Sequence, residues 1–177
     1  MNTLDFLSPS RCQPGTTTSP LRRALDGADP RVVTDLWLDG KVEIRGDLDL
    51  VDPRAGEELV RLTPRRGYLF TSDDPADVVA RLREVGELAY DATGALAGMA
   101  IEGEQRMRRL TDLDLDKLPA AGALLSRVTA IFIRDEGERF RVYVPQELAH
   151  DVGMAVLDMA RGLTLDVPET DVARERA

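Results

Sequence analysis

The sequence contains little cysteine, histidine or aromatic residue. Of its 177 residues, one is cysteine and one is histidine, and aromatic residues make up 5%. Cys12 has no partner for a disulfide within the chain, and Cys12 and His150 together do not supply the ligands of a zinc site. We therefore expect no metal site. So few aromatic rings also leave little material for stacking nucleic-acid bases.

A surplus of positive charge is also missing. The formal net charge is −9, and Lys and Arg are scattered among more numerous Asp and Glu. Because a nucleic-acid backbone requires a concentrated positive surface, the sequence argues against a nucleic-acid partner. No apolar run is long enough to cross a membrane, and the opening "MNTLDFLSPSRC" lacks the apolar core of a secretory signal. We expect a cytoplasmic protein with no membrane partner.

The composition that remains is that of an ordinary globular protein. Hydrophobic residues make up 43% of the chain and charged residues 31%, and the length suits one domain. Residues 1–30 are rich in Ser, Thr, Pro and Gly and predict a flexible arm. Residues 31–163 predict a single domain, and residues 164–177 a polar tail.

Two hydrophobic periodicities alternate along the predicted domain. A period of two residues predicts strands and a period near 3.6 predicts helices. The predicted strands cover 40–46, 67–71, two segments that meet near 93–94, 127–134 and 139–144; the predicted helices follow residue 74, cover 104–110 and include 148–163. Helices therefore follow pairs of strands. This order favours an α+β fold, with a mostly antiparallel sheet and helices packed against it.

The titratable residues do not form a catalytic set. His150 lies away from the apolar stripe of its predicted helix, so we expect a solvated side chain rather than a general base. Asp112, Asp114 and Asp116 alternate with leucines and lack the glycine and distal glutamate of a calcium-binding loop. No glycine-rich phosphate-binding motif is present. The residues alone predict no catalytic residue.

Three segments carry a family resemblance. They are "VVTDLWLDGKVEIRG" (32–46), "ALAGMAIEGEQRMRRLTDLDLDKLP" (95–119) and "FRVYVPQELAHDVGMAVLDMA" (140–160). Together they resemble the T-protein (aminomethyltransferase) superfamily, which includes the sarcosine oxidase gamma subunit. The second is similar to a strand, helix and "LTD-DL-x-x-LP" of that family, and the third to its hairpin, proline and closing helix. The resemblance implies a T-protein or folate-binding-like domain, closest in character to the gamma subunit.

The sequence departs from the folate-using members at their ligand site. Their "G-G-x-x-D-D" insertion is absent, and their motif "T-G-E-x-G-(F/Y)-E-h-x-h-P" places its second Glu beside the pterin ring. Counting back from Pro145 puts Arg141 at that Glu and Arg139 at the Gly before Phe140. A carboxylate accepts the paired N–H donors of a pterin, whereas a guanidinium only donates. The usual carboxylates for tetrahydrofolate are therefore missing.

Three functions remain open. The main hypothesis is a non-catalytic subunit or stand-alone relative of the gamma fold, beside a larger flavin- or folate-dependent oxidoreductase in sarcosine or glycine oxidation and one-carbon metabolism. Arg139 and Arg141 would then lie on the partner surface. The second is a minimal folate-binding, aminomethyltransferase-like enzyme that binds tetrahydrofolate through Asp35, Glu43 or Glu102 in place of the lost carboxylates. The third is an acidic interaction module with no ligand.

Overall fold

The computed structural model describes residues 18–164, with side chains described as far as residue 160. Residues 1–17 of the predicted arm and 165–177 of the predicted tail lie outside this part. In chain order the described elements are β1 (Val33–Asp35), β2 (Gly40–Arg45), β3 (Glu58–Thr63), β4 (Arg66–Thr71), α1 (Pro75–Glu84), β5 (Leu88–Asp91), β6 (Leu96–Glu102), α2 (Glu104–Leu110), β7 (Ala120–Leu124), β8 (Val128–Arg134), β9 (Arg139–Pro145) and α3 (Ala149–Thr164).

The strands form two sheets. The large sheet has the order β1-β6-β9-β8-β7, and the small sheet has the order β3-β4-β2-β5. Every pairing in both sheets is antiparallel. The predicted α+β fold with antiparallel pairing and packed helices is therefore confirmed. The six predicted strands and three predicted helices are present, and β1, β3 and β7 are added to them.

The sheets and helices stack in four layers. Three apolar clusters separate the layers, and each draws on alternate residues of the strands because successive strand side chains point to opposite faces. Between α1 and the small sheet lie Val42, Ile44, Leu69, Val78 and Leu82; between the two sheets lie Val60, Tyr68, Phe70, Ile131, Ile133 and Tyr143; between the large sheet and α2 with α3 lie Met99, Ile101, Phe132, Val142, Met107 and Val156. The helices thus cover the outer faces, and the inner faces of the sheets meet. No described helix is long and apolar enough to cross a membrane.

The start of α1 shows how local sequence sets an element boundary. Asp74 accepts a hydrogen bond from the backbone N–H of Ala76 at 2.9 Å, and Pro75 occupies the first helical turn. Both residues suit this position, because the first N–H groups of a helix need acceptors from outside the helix, and proline lacks only an N–H that would have no partner within the helix. They fix where the chain leaves the small sheet.

Residues 18–30 differ from the flexible arm that the sequence predicts for residues 1–30. Leu21 and Ala24 are buried, and this turn packs against α3 at Gly153. A Cβ atom at Gly153 would lie 2.9 Å from Cβ of Ala24 and 3.0 Å from Cδ2 of Leu21. The glycine therefore allows close contact, and apolar burial rather than composition decides the structure of this segment.

Candidate functional site

A polar centre lies between the two sheets and joins the β1–β2 loop to β9. Tyr143 is buried and donates from its hydroxyl group to Oδ2 of Asp39 at 2.8 Å. Lys41 on β2 is fully buried and donates from Nζ to the carbonyl oxygen of Asp39 at 2.6 Å. The same Nζ lies 5.7 Å from the centre of the Tyr143 ring, a distance at which the ring stabilises a cation. We call Asp39, Lys41 and Tyr143 the polar centre.

Burial changes the acid–base properties of the polar centre. It lowers the pKa of Lys41, and the negative charges of Asp39, Asp35 and Asp91 only partly offset this effect. It also raises the pKa of Tyr143 well above its usual range, and the neighbouring Asp39 carboxylate raises it further. Both shifts follow from the low polarity of the site, which disfavours the charged form of each group. Tyr143 therefore keeps its proton and acts as a hydrogen-bond donor.

Close packing holds the Tyr143 ring in place. The ring stacks on that of Phe70 across the two sheets, with 4.1 Å between ring centres. Its edge lies over Gly98 of β6, where an added Cβ would be 2.6 Å from Cε1 of Tyr143 and 3.2 Å from Cβ of Leu36. Gly98 is thus required by the approach of Tyr143 rather than by backbone conformation.

The β1–β2 loop above the polar centre presents two apolar side chains to solvent. Trp37 is 39% exposed and Leu38 is 76% exposed. The loop backbone is fixed by three hydrogen bonds: the N–H of Leu36 donates to the carbonyl of Gly98 at 2.9 Å, that of Trp37 to Oδ1 of Asp35 at 3.0 Å, and that of Asp39 to the carbonyl of Leu36 at 3.2 Å. A cleft of about 260 Å³ opens beside Trp37 and Leu38. The exposed side chains therefore stand on a rigid support.

Three of the residues predicted to bind a ligand or partner come together on the large sheet. Nη1 of Arg139 donates to Glu102 at 3.1 Å, and Nε of Arg139 lies 3.6 Å from Oδ2 of Asp135. Nε of Arg141 donates to the other Asp135 oxygen at 2.8 Å. Because β6, β9 and β8 are neighbouring strands, Glu102, Arg139, Asp135 and Arg141 form one chain of ion pairs. The side chain of Arg139 is 41% exposed and that of Arg141 only 22%.

The other two predicted carboxylates lie in separate networks. Glu43 on β2 accepts hydrogen bonds from Nε of Arg45 at 2.9 Å and from Nε of Arg66 at 2.8 Å. Asp35 at the end of β1 accepts from the backbone of Trp37. Glu102 is paired with Arg139. Each of the three carboxylates is therefore hydrogen-bonded to a different partner.

The residues at the pterin position of the resembled family do not fit tetrahydrofolate. Arg141 stands where the family carries the second Glu of its motif, and its guanidinium is held by the carboxylate of Asp135. A pterin ring presents N–H donors at that position, and an arginine side chain offers no acceptor for them.

His150 is the remaining polar side chain that the sequence singled out. His150 is exposed at the first turn of α3 and lines an open groove with Arg22 and Arg23. Among residues 18–164 no group of three or more His, Cys, Asp or Glu side chains is arranged to hold a metal ion. The predicted solvent exposure of His150 is confirmed.

The sequence did not predict the polar centre, because none of its three residues stands out from the pattern expected of a surface strand or loop. Lys41 alternates with Val42 and Ile44, which predicts a solvent-facing lysine on a half-covered strand. In the structure the second sheet covers that face at Lys41. The one available signal was Asp39 just before Gly40 in the segment that resembles the family, since a carboxylate next to a buried strand needs a partner.

Comparisons with known proteins identify the fold. No family model matches the chain, and no curated protein matches its sequence. A chain in the structure of heterotetrameric sarcosine oxidase from Corynebacterium sp. U-96, in complex with pyrrole 2-carboxylate, aligns with a TM-score of 0.69 and 12% identity. The alignment covers 86% of this chain and 99% of that chain. The regulatory subunit of aspartate kinase from Thermus thermophilus, ligand free, aligns over 72% of this chain and 96% of that chain at 15% identity, with a TM-score of 0.42.

These findings define the class of fold. The α+β architecture with two antiparallel sheets and three described helices is sarcosine oxidase gamma-like. The resemblance carried by the three sequence segments is confirmed at this level. At 12% identity the likeness establishes the fold alone.

Proposed function

We propose that this chain is a non-catalytic subunit of a larger oxidoreductase that oxidises an amine such as sarcosine or glycine and is linked to folate one-carbon metabolism. The observation that carries the proposal is the fold alignment, which takes in 99% of a chain from an enzyme described as a heterotetramer. Because almost the whole of that chain is matched, the likeness concerns a complete subunit rather than a motif shared by many enzymes. The place of action that the sequence predicts is the cytoplasm.

The chemistry of the described residues supports a role without catalysis. The polar centre is closed: Lys41 is fully buried, and the hydroxyl of Tyr143 is engaged by Asp39. Proton transfer to a substrate requires a side chain within hydrogen-bond reach of it. The partly exposed Arg139 and Arg141 are ion-paired. Ion-paired arginines typically contribute to recognition and stability rather than to catalysis.

The partner that this function requires is a larger subunit that holds the flavin or folate. The chain itself offers arginines where relatives that use folate carry acceptors, so the cofactor chemistry is assigned to the partner. The small subunit would then contribute by binding and stabilising the assembly. An interface of ordinary size, about 800 Å² on each side, is well within the surface of a domain of this length.

Copurification from the source cell tests this function. The tagged full-length chain is expressed from its own locus, recovered under mild conditions and analysed by mass spectrometry for stoichiometric partners. We expect a larger flavin- or folate-dependent oxidoreductase subunit in constant ratio to the chain. Recovery of the chain as a free monomer, with no such subunit at any ionic strength, would contradict the proposal.

A further inference from the structure

The strongest unexplained surface is the exposed part of the β1–β2 loop together with the cleft beside it. Trp37 and Leu38 are adjacent, both are exposed, and the neighbouring cleft is lined by Leu96, Ala97, Thr93 and Gly94 among others. None of the described residues that line this cleft is charged. Single exposed apolar side chains are ordinary on protein surfaces. A tryptophan and a leucine beside an apolar cleft instead form an exposed apolar patch, which is typical of an interaction site.

The support beneath this surface is rigid. The hydrogen bonds of Leu36 with Gly98, of Trp37 with Asp35 and of Asp39 with Tyr143 fix the loop to the large sheet from both ends. The loop backbone therefore loses little conformational entropy when a partner binds. Tryptophan is enriched among the few residues that account for most of the binding energy in protein interfaces.

The edge of this surface is acidic. Asp35 accepts from the backbone of Trp37, and Asp91 accepts from the backbone of Thr93 at 2.9 Å, so each carboxylate borders the cleft. Asp39, whose carboxylate accepts from Tyr143, acts with Asp35 and Asp91 on the charge of Lys41. Within residues 18–164, none of the three forms a salt bridge with an arginine: Lys41 is buried below, and Arg141, which lies near the Tyr143 hydroxyl, is paired with Asp135. Asp35 and Asp91 thus have backbone N–H partners but no paired cation in the part of the chain that the structure describes.

From this combination we infer the surface through which the chain docks on its partner subunit. We propose that Trp37, Leu38 and the adjacent cleft bind a segment of the larger subunit that inserts an apolar side chain and places Lys or Arg opposite Asp35 and Asp91. The inference rests on the proposed function and adds the surface and the chemistry of the partner. Complementary charge sets the register of the contact, and the apolar anchors supply its affinity.

Two matched pairs of variants test the surface in the full-length tagged chain. Leu38→Ser removes an apolar anchor and Leu50→Ser changes a comparably exposed leucine at 60% exposure elsewhere on the chain. Asp91→Asn removes a charge yet keeps the oxygen that accepts from Thr93, and Asp112→Asn changes an exposed carboxylate outside the surface. We expect Leu38→Ser and Asp91→Asn to lower the recovery of the oxidoreductase subunit about tenfold or more, while the two controls match the wild type.

The outcomes separate this inference from the proposed function. If the wild type recovers the larger subunit and Leu38→Ser recovers it equally well, the surface is wrong and the function stands. If the wild type recovers no oxidoreductase subunit, the function fails and the docking surface fails with it. Each variant in the two matched pairs must first show the same unfolding transition as the wild type. We expect this for Leu38→Ser because Leu38 is exposed.

Two other occupants of the surface are tested on the isolated chain. Trp37 is the only tryptophan in the sequence, so quenching of its fluorescence by acrylamide reports directly on its exposure. We expect efficient quenching and a monomeric mass by light scattering. Protection of Trp37 that Phe6→Ser abolishes would show that the N-terminal segment of the chain itself covers the surface. A dimer that Leu38→Ser dissociates would show that a second copy covers it. Either result would overturn the proposal.

Discussion

The hydroxyl group of Tyr143 donates to Oδ2 of Asp39 at 2.8 Å, a contact between residues 104 positions apart. This hydrogen bond connects the centre of the large sheet with the loop that presents Trp37 and Leu38 to solvent. Tyr143 is buried and Asp39 is half-buried, so leaving either group unpaired would be costly. The stability of the domain and the shape of its exposed surface therefore depend on the same contact.

Tyr143→Phe tests that contact. Removing the hydroxyl leaves the Asp39 carboxylate without its donor, and we expect the free energy of unfolding to fall by about 1–3 kcal/mol. Tyr90→Phe is the matched control, because Tyr90 is 46% exposed, and we expect it to change stability by less than about 0.5 kcal/mol. Urea denaturation measures both. Equal stability of the two variants would contradict the role assigned to Tyr143.

Gly98→Ala tests the packing that positions the Tyr143 ring. The added methyl group would lie 2.6 Å from Cε1 of Tyr143, and such overpacking typically costs about 1–3 kcal/mol. Gly94→Ala adds the same methyl group where no atom lies within 4 Å, so we expect little change there. Thermal unfolding followed by circular dichroism compares them. A Gly98→Ala protein as stable as Gly94→Ala would show that the ring moves aside without cost.

The buried ammonium of Lys41 predicts a pH dependence of stability. Its pKa in the folded chain is below the solvated value of 10.5, so the unfolded chain binds more protons in the window just below pH 10.5. Stability contributed by this group therefore rises as the pH increases through that window. Lys41→Met removes the contribution. Denaturation of the wild type and Lys41→Met is measured from neutral pH to pH 10.5. We expect the free energy of unfolding of the wild type to rise relative to that of Lys41→Met as the pH increases.

Lys117→Met is the control for the pH experiment. Lys117 is exposed, and Asp114 raises its pKa above 10.5. Its contribution has the opposite sign: it is present below the solvated pKa and is lost as the pH rises through the folded one. Solvent screening keeps this effect small. Parallel stability profiles for the wild type and Lys41→Met would show that Lys41 titrates as a solvated lysine.

Arg141→Glu distinguishes a structural role from a partner-binding role for this arginine. The Arg141 side chain is 22% exposed and donates to Asp135, so a glutamate there would face a like charge. We expect a loss of about 1–3 kcal/mol, less than for a fully buried pair because the site is partly solvated. Arg31→Glu, at a side chain that is 89% exposed, should be nearly neutral. Unchanged stability of Arg141→Glu together with loss of the partner would instead support the partner surface predicted from the sequence.

Titration with tetrahydrofolate tests the folate-binding alternative. Asp35, Glu43 and Glu102 are engaged by separate partners, and Arg141 offers only donors to a pterin ring. We therefore expect no binding heat in calorimetry at millimolar concentrations of the ligand. A saturable heat that Glu43→Gln or Glu102→Gln abolishes would contradict this expectation and support an enzyme of one-carbon transfer.

The sequence contained enough to predict the antiparallel α+β fold but not its division into two sheets. Periodicity located the strands around Val42 and Ile44 and around Phe140 and Val142, since each has one face against a helix. It missed β7, Ala120–Leu124, because three alanines and a glycine carry no alternating signal. Which strands share a sheet depends on long-range pairing, which local patterns do not encode.

The candidate site was predicted less completely for a related reason. The sequence indicated Arg139 and Arg141 through the family motif and Glu102 as a substitute carboxylate for folate, and the structure brings these three together. It gave no indication of Lys41, because a lysine in an alternating strand is expected to face solvent. Burial of that lysine follows from the stacking of the second sheet, with Phe70 over Tyr143. Burial of a polar side chain by a second sheet can therefore be seen only in the three-dimensional structure.

The central claim is that this chain is the small subunit of a larger oxidoreductase, and reconstitution measures it most directly. The purified chain is mixed with the larger subunit recovered from the source cell, and the mass of the complex and the rate of amine oxidation are followed together. The account predicts a complex of fixed stoichiometry, full activity only in fractions that contain the larger subunit, and no activity of the isolated chain. An isolated chain that oxidises the amine or transfers its one-carbon unit, or that never associates with the larger subunit, would contradict the account.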